Sequence, residues 1–475
     1  HEKLLSAGCK SELYIAPERW HAYVLYDLEE NRDDWQRINR FLNRTMAQEN
    51  KLRWMRLDNA AKIYPAARDR NWSNVFRLSV TLTETVDKDV LQSALDVTAR
   101  RFPMIAARLR KGVFWYYLEQ VADSIPISHE QSHPLARMSK KQTRQCALRV
   151  IAYKNRIAVE FFHSLTDGNG ALVFLKTLTA EYLQQKYGVH IPATDGVLGR
   201  LEEPSPEELE DSFLKYAGDV SASRNEDTAW HLKGTKESNG FLHLTSFSMS
   251  ASQVVKKAHD YNVTLTAFLC AAMMEAILRW QKEKVPSVRK RKPIKILIPV
   301  NLRKLFPSKS LRNFALYTTP QITPRLGEYS FEEICRVVHH TMGLEVTPKY
   351  MSTRIAKNVG DERSMLVKIM PLFIKNAVMK AVFNAVGECK SCLTLSNLGA
   401  VQLPEAMKPY VERLDFILGV QASAPHNCGV LSYGDQLIVN FIRNIKESDL
   451  ESHFYRVLQE QGIDVLVESN RASRP

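Results

Sequence analysis

The chain has 475 residues, 45% of them hydrophobic and 25% charged. That composition excludes a disordered chain, and the length exceeds the ~250–300 residues that one hydrophobic core usually fills, so two domains are expected. The 65 basic and 52 acidic residues leave a net charge of +13, which favours anionic partners without choosing among nucleic acid, a membrane surface, an acidic carrier protein and a phosphate-bearing cofactor.

The seven cysteines are odd in number and scattered, which fits a reducing compartment better than a disulfide framework. Cys389 and Cys392 form a lone CxxC with no second pair at zinc-site spacing, so both read as ordinary thiols and no metal is expected. The chain begins at His1, with no basic segment followed by an apolar run, so no signal peptide is expected. The longest apolar stretch, Val263 to Ile277, contains Glu275 and is too short to span a bilayer. A cytoplasmic protein is the expectation.

Residues 1–54 are polar and read as a peripheral segment. The first lobe is expected over 55–190. Val75 to Leu82 alternates as a strand, Asp87 or Asp89 offers a helix cap, and an apolar stripe through Leu91, Ala94 and Leu95 predicts a helix ending near Phe102-Pro103. After Gly112, Val113 to Leu118 reads as an aromatic strand. Cys146–Tyr153 and Ile157–Phe162 form a predicted hairpin. The chain turns at His163–Gly170, and Ala171 to Tyr187 reads as a helix. Residues 191–240 carry Pro192, Pro204, Pro206 and an acidic group from Glu202 to Asp211, which reads as a linker with a solvated face. The second lobe is expected over 241–475. It opens on a strand to Met249, then a helix capped by Ser250 and a long buried helix from Thr264 to about Lys282. A strand from Ile294 to Val300 follows, then a helix over 330–345 and strands at Cys392–Leu395 and Phe416–Val420. A hairpin through Gly434-Asp435 and a helix over 448–461 complete it.

His163 stands at the exit of a strand, where a side chain is held firmly and the following turn opens access. Asp167 lies four positions on, followed by Gly168. A neutral imidazole can take a proton from a hydroxyl or amine near pH 7, Asp167 can fix the turn through an ion pair, and Gly168 lets the chain pass a crowded point. Taken alone, His-x-x-x-Asp is common and reads more often as a surface histidine beside a turn aspartate.

The surroundings change that reading. A strand ending in aromatic residues, then His163-Ser164-Leu165-Thr166-Asp167-Gly168, then a helix, resembles the signature of the CoA-dependent acyltransferase superfamily. That superfamily takes in chloramphenicol acetyltransferases, plant BAHD acyltransferases, condensation domains and alcohol acetyltransferases. Thr264 to Leu269 resembles the opening of its second long helix. Ile298 to Arg303, followed by Asn313, resembles its "VDLR…GN" segment, and Leu395 to Gly399 its late crossover strand. The resemblance runs from about 55 to 465. Phe114 to Leu118 and the overall length look most like the bacterial alcohol acetyltransferase-like branch. Phe162 stands where many relatives carry a second histidine, and the BAHD Asp-Phe-Gly-Trp-Gly motif is absent.

The resemblance implies an α+β fold (αβ sandwich) of two chloramphenicol acetyltransferase-like lobes, with the active site in the channel between them. It implies His163 as general base, with Asp167 and Gly168 structural and Arg303 as the partner of Asp167. Ser396 and Asn397 are placed to stabilise an oxyanion. Acyl-CoA is the implied co-substrate and a small alcohol or amine the acceptor; an acyl carrier protein is the alternative donor. The basic run Lys284 to Lys295 fits CoA phosphates, an acidic carrier or a solvated loop. A membrane surface fits the charge but has no other support in the sequence. No aromatic-interleaved basic motif or zinc-finger signature points to nucleic acid. Three functions compete: an acyl-CoA-dependent O- or N-acyltransferase, a condensation-type or lipid-assembly transferase with a carrier-bound donor, and a non-catalytic binding module on the same fold. The sequence does not identify the acceptor or the acyl length.

Overall fold

Apolar side chains at strand and helix periods build two large sheets, each with helices packed against it, and one small sheet. The computed structural model describes residues 54–66, 74–130, 133–200, 202–218, 228–237, 240–363, 370–382, 391–421 and 424–470. The expected peripheral segment, but for Trp54, and Cys389 lie outside the described residues.

A small sheet joins β1 (Trp54–Arg56), β3 (Ala107–Lys111) and β4 (Tyr116–Gln120). The first lobe's main sheet holds β2 (Val75–Leu82), β5 (Ile127–His129), β6 (Leu148–Tyr153) and β7 (Arg156–Phe162). Phe76, Leu78, Val80 and Leu82 line one face of β2 and enter the core with Ile157, Val159 and Phe161 of β7. Each such side chain contributes about 1.5–3 kcal/mol by leaving water. The same core takes the inner sides of α1 (Lys88–Arg101) and α2 (Gly168–Tyr187). Asp87 caps α1 by accepting from the Asp89 and Val90 amides. The other face of β2 is polar yet buried: Arg77 pairs with Glu160 at 2.6 Å and Glu130 at 2.8 Å.

The second sheet runs in the order β10 (Ala315–Thr318), β9 (Ile294–Asn301), β12 (Leu393–Val401), β14 (His426–Tyr433), β15 (Gln436–Arg443), β8 (His243–Ser250), β16 (Leu466–Ser469), with β11 (Gln321–Ile322) also on β9. α4 (Leu265–Lys284) is apolar almost all round. It is packed on by α3 (Ala251–Asp260), α5 (Phe331–Glu345) and α8 (Asp449–Glu460), which accounts for its burial. α6 (Pro348–Arg363) and α7 (Leu372–Val382) fall in a region the sequence reading left unassigned.

Three expectations change. The aromatic strand expected over Val113–Leu118 begins only at Tyr116, because Val113 to Trp115 form the tip of the β3–β4 hairpin, closed by the Gly112 amide on the Trp115 carbonyl at 2.9 Å. The strand anticipated at Phe416–Val420 is β13, Val411–Ile417, and it leaves its own half: it pairs antiparallel with β2, from Val411 opposite Leu82 to Ile417 opposite Arg77. The first lobe's sheet thus ends on a strand from late in the chain. Gly429 of β14 permits the passage, because a Cβ there would lie 2.4 Å from the Phe416 carbonyl oxygen. The acidic group of the linker is only in part a solvated face: Glu202, Glu203 and Glu207 are exposed, while Glu208 and Asp211 turn inward. Glu208 pairs with the buried Arg101 at 2.7 Å, and Asp211 accepts from the Asn59 and Phe213 amides. Phe213 packs with Val300 and Phe314. Charge pairing and the aromatic anchors Phe213 and Tyr216 hold this segment to both lobes.

Candidate functional site

β7 ends at Phe162, and His163 follows where the strand gives way to the turn before α2. The His163 amide donates to the Asn74 carbonyl at 2.8 Å. The imidazole is half-buried and clamped between rings: Tyr64 stacks on it at 4.3 Å between centroids, and Phe76 lies at 4.9 Å. Burial holds the His163 pKa below its ordinary value, outweighing its own backbone carbonyl, Asp167, Asn313 and Asp58, which all pull the other way. The group is therefore neutral at pH 7.

Asn313 decides which nitrogen carries the proton. Its Nδ2 donates to Asp58 Oδ2 at 3.2 Å, so its Oδ1 faces the imidazole, 3.1 Å from His163 Nδ1. An oxygen there accepts, so Nδ1 is the N–H and Nε2 keeps its lone pair. Asp58 is fully buried and accepts from the Ala61 amide at 2.7 Å. Burial pushes its carboxyl up, against the pull of the Arg312 guanidinium. Asp58, Asn313 and His163 form one chain of contacts joining three distant stretches of sequence.

Asp167 turns away from His163. Its Oδ1 caps α2, accepting from Asn169 and Gly170 amides at 3.1 Å each. Its Oδ2 accepts from Arg303 Nη1 at 2.7 Å and from the Phe314 amide at 2.9 Å. Arg303 also donates to the Ser310 and Arg312 carbonyls and to Asn301 Oδ1. The carboxylate holds the first lobe's turn against the second lobe's loop. Gly168 sits under Leu398, whose Cδ2 would be 2.7 Å from an added Cβ. Gly170 is tighter still: a Cβ would lie 2.2 Å from both the Leu311 carbonyl oxygen and Thr166 Oγ1, which are themselves bonded at 2.6 Å. Gly170→Ala is expected to cost at least about 1–3 kcal/mol, since backbone must move, and to lower the thermal melting midpoint; unchanged melting would contradict the packing at this turn.

Ser396 and Asn397 lie on β12, next to the Leu398 that covers Gly168. Asn397 Nδ2 donates to Thr266 Oγ1 at 2.9 Å and its Oδ1 accepts from the Gly399 amide at 2.8 Å. Among the described residues, the His163 side chain hydrogen-bonds Asn313 and neither of these two. The basic run Lys284–Lys295 lies at the opposite end of β9 from Arg303. Arg291 is turned inward onto the Val285 and Pro286 carbonyls and Lys295 is buried, leaving Lys284, which pairs with Asp449 at 3.7 Å, and Arg289, Lys290 and Lys292 exposed. Burial raises all five described cysteines, Cys146 to about 11 and Cys335 and Cys392 to about 12, so none is poised as a thiolate. The sequence reading did not single out Tyr64 or Asp58. Asn313 was named as part of a segment but given no role.

No family model and no curated protein sequence matches the chain. Solved structures do. TRI101 from F. graminearum, complexed with coenzyme A and T-2 mycotoxin, matches with a TM-score of 0.58 at 10% identity, over 88% of this chain and 100% of that one. TRI3 trichothecene 15-O-acetyltransferase from Fusarium sporotrichioides matches with a TM-score of 0.55 at 12% identity, over 86% and 95%. This chain has the two-lobed fold of CoA-dependent acyltransferases and condensation domains. The condensation domain from the Monacolin K polyketide synthase MokA matches it as well, with a TM-score of 0.54 at 11% identity over 86% and 98%. Identities this low establish the fold, and the chemistry rests on the residues around His163.

Proposed function

We propose that this protein is an acyltransferase that moves an acyl group from an acyl-CoA thioester to an alcohol or amine, with His163 as general base. The observation that carries the reading is Asn313 Oδ1 on His163 Nδ1, which leaves Nε2 as the basic nitrogen. Nε2 takes the proton of the acceptor hydroxyl as its oxygen attacks the thioester carbonyl. The tetrahedral oxyanion then collapses, the C–S bond breaks, and the imidazolium returns the proton to the departing thiolate. No covalent enzyme intermediate is needed. Asp167 and Arg303 hold the turn that carries the base. Asn397, pinned by Thr266, and Ser396 are assigned to the oxyanion. The bound coenzyme A of TRI101 and the O-acetyl transfer of TRI3 support an acyl-CoA donor and a hydroxyl acceptor. The match to a condensation domain supports a second reading, in which a carrier protein presents the acyl group.

The test is thiol release from short, medium and long acyl-CoAs against a panel of alcohols and amines. Release that depends on the acceptor supports the first reading. Transfer only from an acyl carrier protein supports the second. No transfer from either donor to any acceptor would sink both and leave a binding module.

The pH dependence follows from the imidazole. The neutral form is the base, so the rate rises with pH through the His163 pKa and levels off above it. Burial holds that pKa below 6.5. kcat/KM should therefore be level at alkaline pH and decline with unit slope at acidic pH, its midpoint below the ordinary histidine range. An acid limb with its midpoint above 7 would contradict the assignment.

A further inference from the structure

One helix turns an apolar stripe to solvent. On α7, Phe373 is 69% exposed, Ile374 41% and Val378 47%. With the exposed Ala377 and Ala381 they follow the four-residue spacing of a single helix face. The opposite side is anchored. The Leu372 amide donates to the Val113 carbonyl at 3.0 Å, and Lys375 Nζ donates to the Phe114 carbonyl at 3.0 Å. Lys375 Nζ also lies 3.3 Å from the centre of the Trp115 ring. The β3–β4 hairpin tip held in this way is itself apolar and open, with Val113 75% and Phe114 45% exposed. Helix stripe and hairpin tip therefore make one patch, fixed in place before it meets anything.

Charge says what the patch faces. Residues 110–117 and 372–382 contain four cations, Arg110, Lys111, Lys375 and Lys380, and no acid. Arg110 is paired with Glu119, while Lys111 is exposed beside the tip. The whole chain carries +13. Lys375 is buried under the tip, so Lys111 and the half-buried Lys380 are the cations left at the edge of the patch, and a second copy docked face to face would set these like charges against each other. No single helix among the described residues is long and apolar enough to cross a membrane. An apolar stripe flanked by lysines and by Trp and Tyr suits the plane of an anionic headgroup layer.

We propose that α7 and the β3–β4 hairpin tip dock this protein on an anionic lipid bilayer, with Phe373, Ile374, Val378, Val113 and Phe114 entering the headgroup–acyl boundary. α7 packs against the short helix Ile63–Ala66, whose Tyr64 stacks on His163. Resting on the acyltransferase reading, this sets the docked face one short helix away from the catalytic base. The docking itself does not depend on that reading.

The test is co-sedimentation of the full chain with phosphatidylcholine vesicles, with and without phosphatidylglycerol. Wild type should pellet with the anionic vesicles and be released by salt. Phe373→Glu/Val378→Glu, at exposed positions, should melt as wild type does and bind about tenfold or more weakly. Its transfer to a short water-soluble acceptor should be unchanged. Wild type remaining in solution with both vesicles, or a variant that binds as well as wild type, would overturn the proposal. So would light scattering that shows a wild-type dimer, broken by the variant, with no vesicle binding. A wild type that binds vesicles but transfers no acyl group would overturn the functional reading and leave the docking surface standing.

Discussion

His163→Ala should lower acyl transfer by about 10²–10⁴-fold at saturating donor, the usual worth of a positioned base. The loss should fall on kcat, because the imidazole meets the acceptor proton only as attack begins. Donor binding should change little. The imidazole is half-buried between Tyr64 and Phe76, so its removal leaves a gap beside rings that are otherwise well supported. Thermal melting of the variant is the folding control. Near-full activity in a well-folded variant would mean that another group takes the proton and that the Asn313 contact has a structural purpose only.

Asp167→Asn should cost about 3–5 kcal/mol of stability, read as a drop in the chemical-denaturation midpoint. The side chains of Asp167 and Arg303 are 8% and 9% exposed, so their pairing lies out of water and is little screened. In the variant, one carboxamide position must oppose two donors, Arg303 Nη1 and the Phe314 amide, that a single carboxylate oxygen now accepts. Rotating the amide would instead set its NH2 against the Asn169 and Gly170 amides that cap α2. Either way a donor faces a donor, and Arg303 keeps a charge without its counter-ion. The double variant Asp167→Asn/Arg303→Met should cost less than the sum of the two single changes, because both remove the same contact. Additive losses would show that the two residues act separately. Because this pair ties the turn after His163 to the second lobe, the single variants should also lose rate through displacement of the base.

Much of the fold follows from period and punctuation. The β2 strand, the Asp87-capped α1, the β6–β7 hairpin and the Thr264-capped α4 all lie within two residues of where alternation, caps and turns put them. These are local signals: a cap bonds amides two or three residues away, and a stripe is read along one helix. α6 and α7 were not read, because the first is polar over much of its length and the second carries apolar side chains all round. Among the described residues no element covers its Phe373 stripe.

The HxxxDG segment was legible in the sequence as a pattern. Its strand-exit histidine, the aspartate four residues on and the closely spaced glycines are local features, yet alone they are as common beside a surface turn, and it is their order with Thr264–Leu269, Ile298–Arg303 and Leu395–Gly399 that resembles the acyltransferase signature. What tertiary structure alone decided is the state of that histidine. Its tautomer depends on Asn313, 150 positions away, whose amide is oriented in turn by Asp58, 255 positions away. The depressed pKa depends on burial, to which Tyr64 and Phe76 contribute from other segments. The crossing of β13 into the first lobe's sheet likewise turns on backbone hydrogen bonds to β2, which is more than 300 residues earlier and leaves no periodic trace in either strand. Hydrogen bonds and desolvation act through space over a few ångströms, whereas sequence pattern reports only what neighbours along the chain impose.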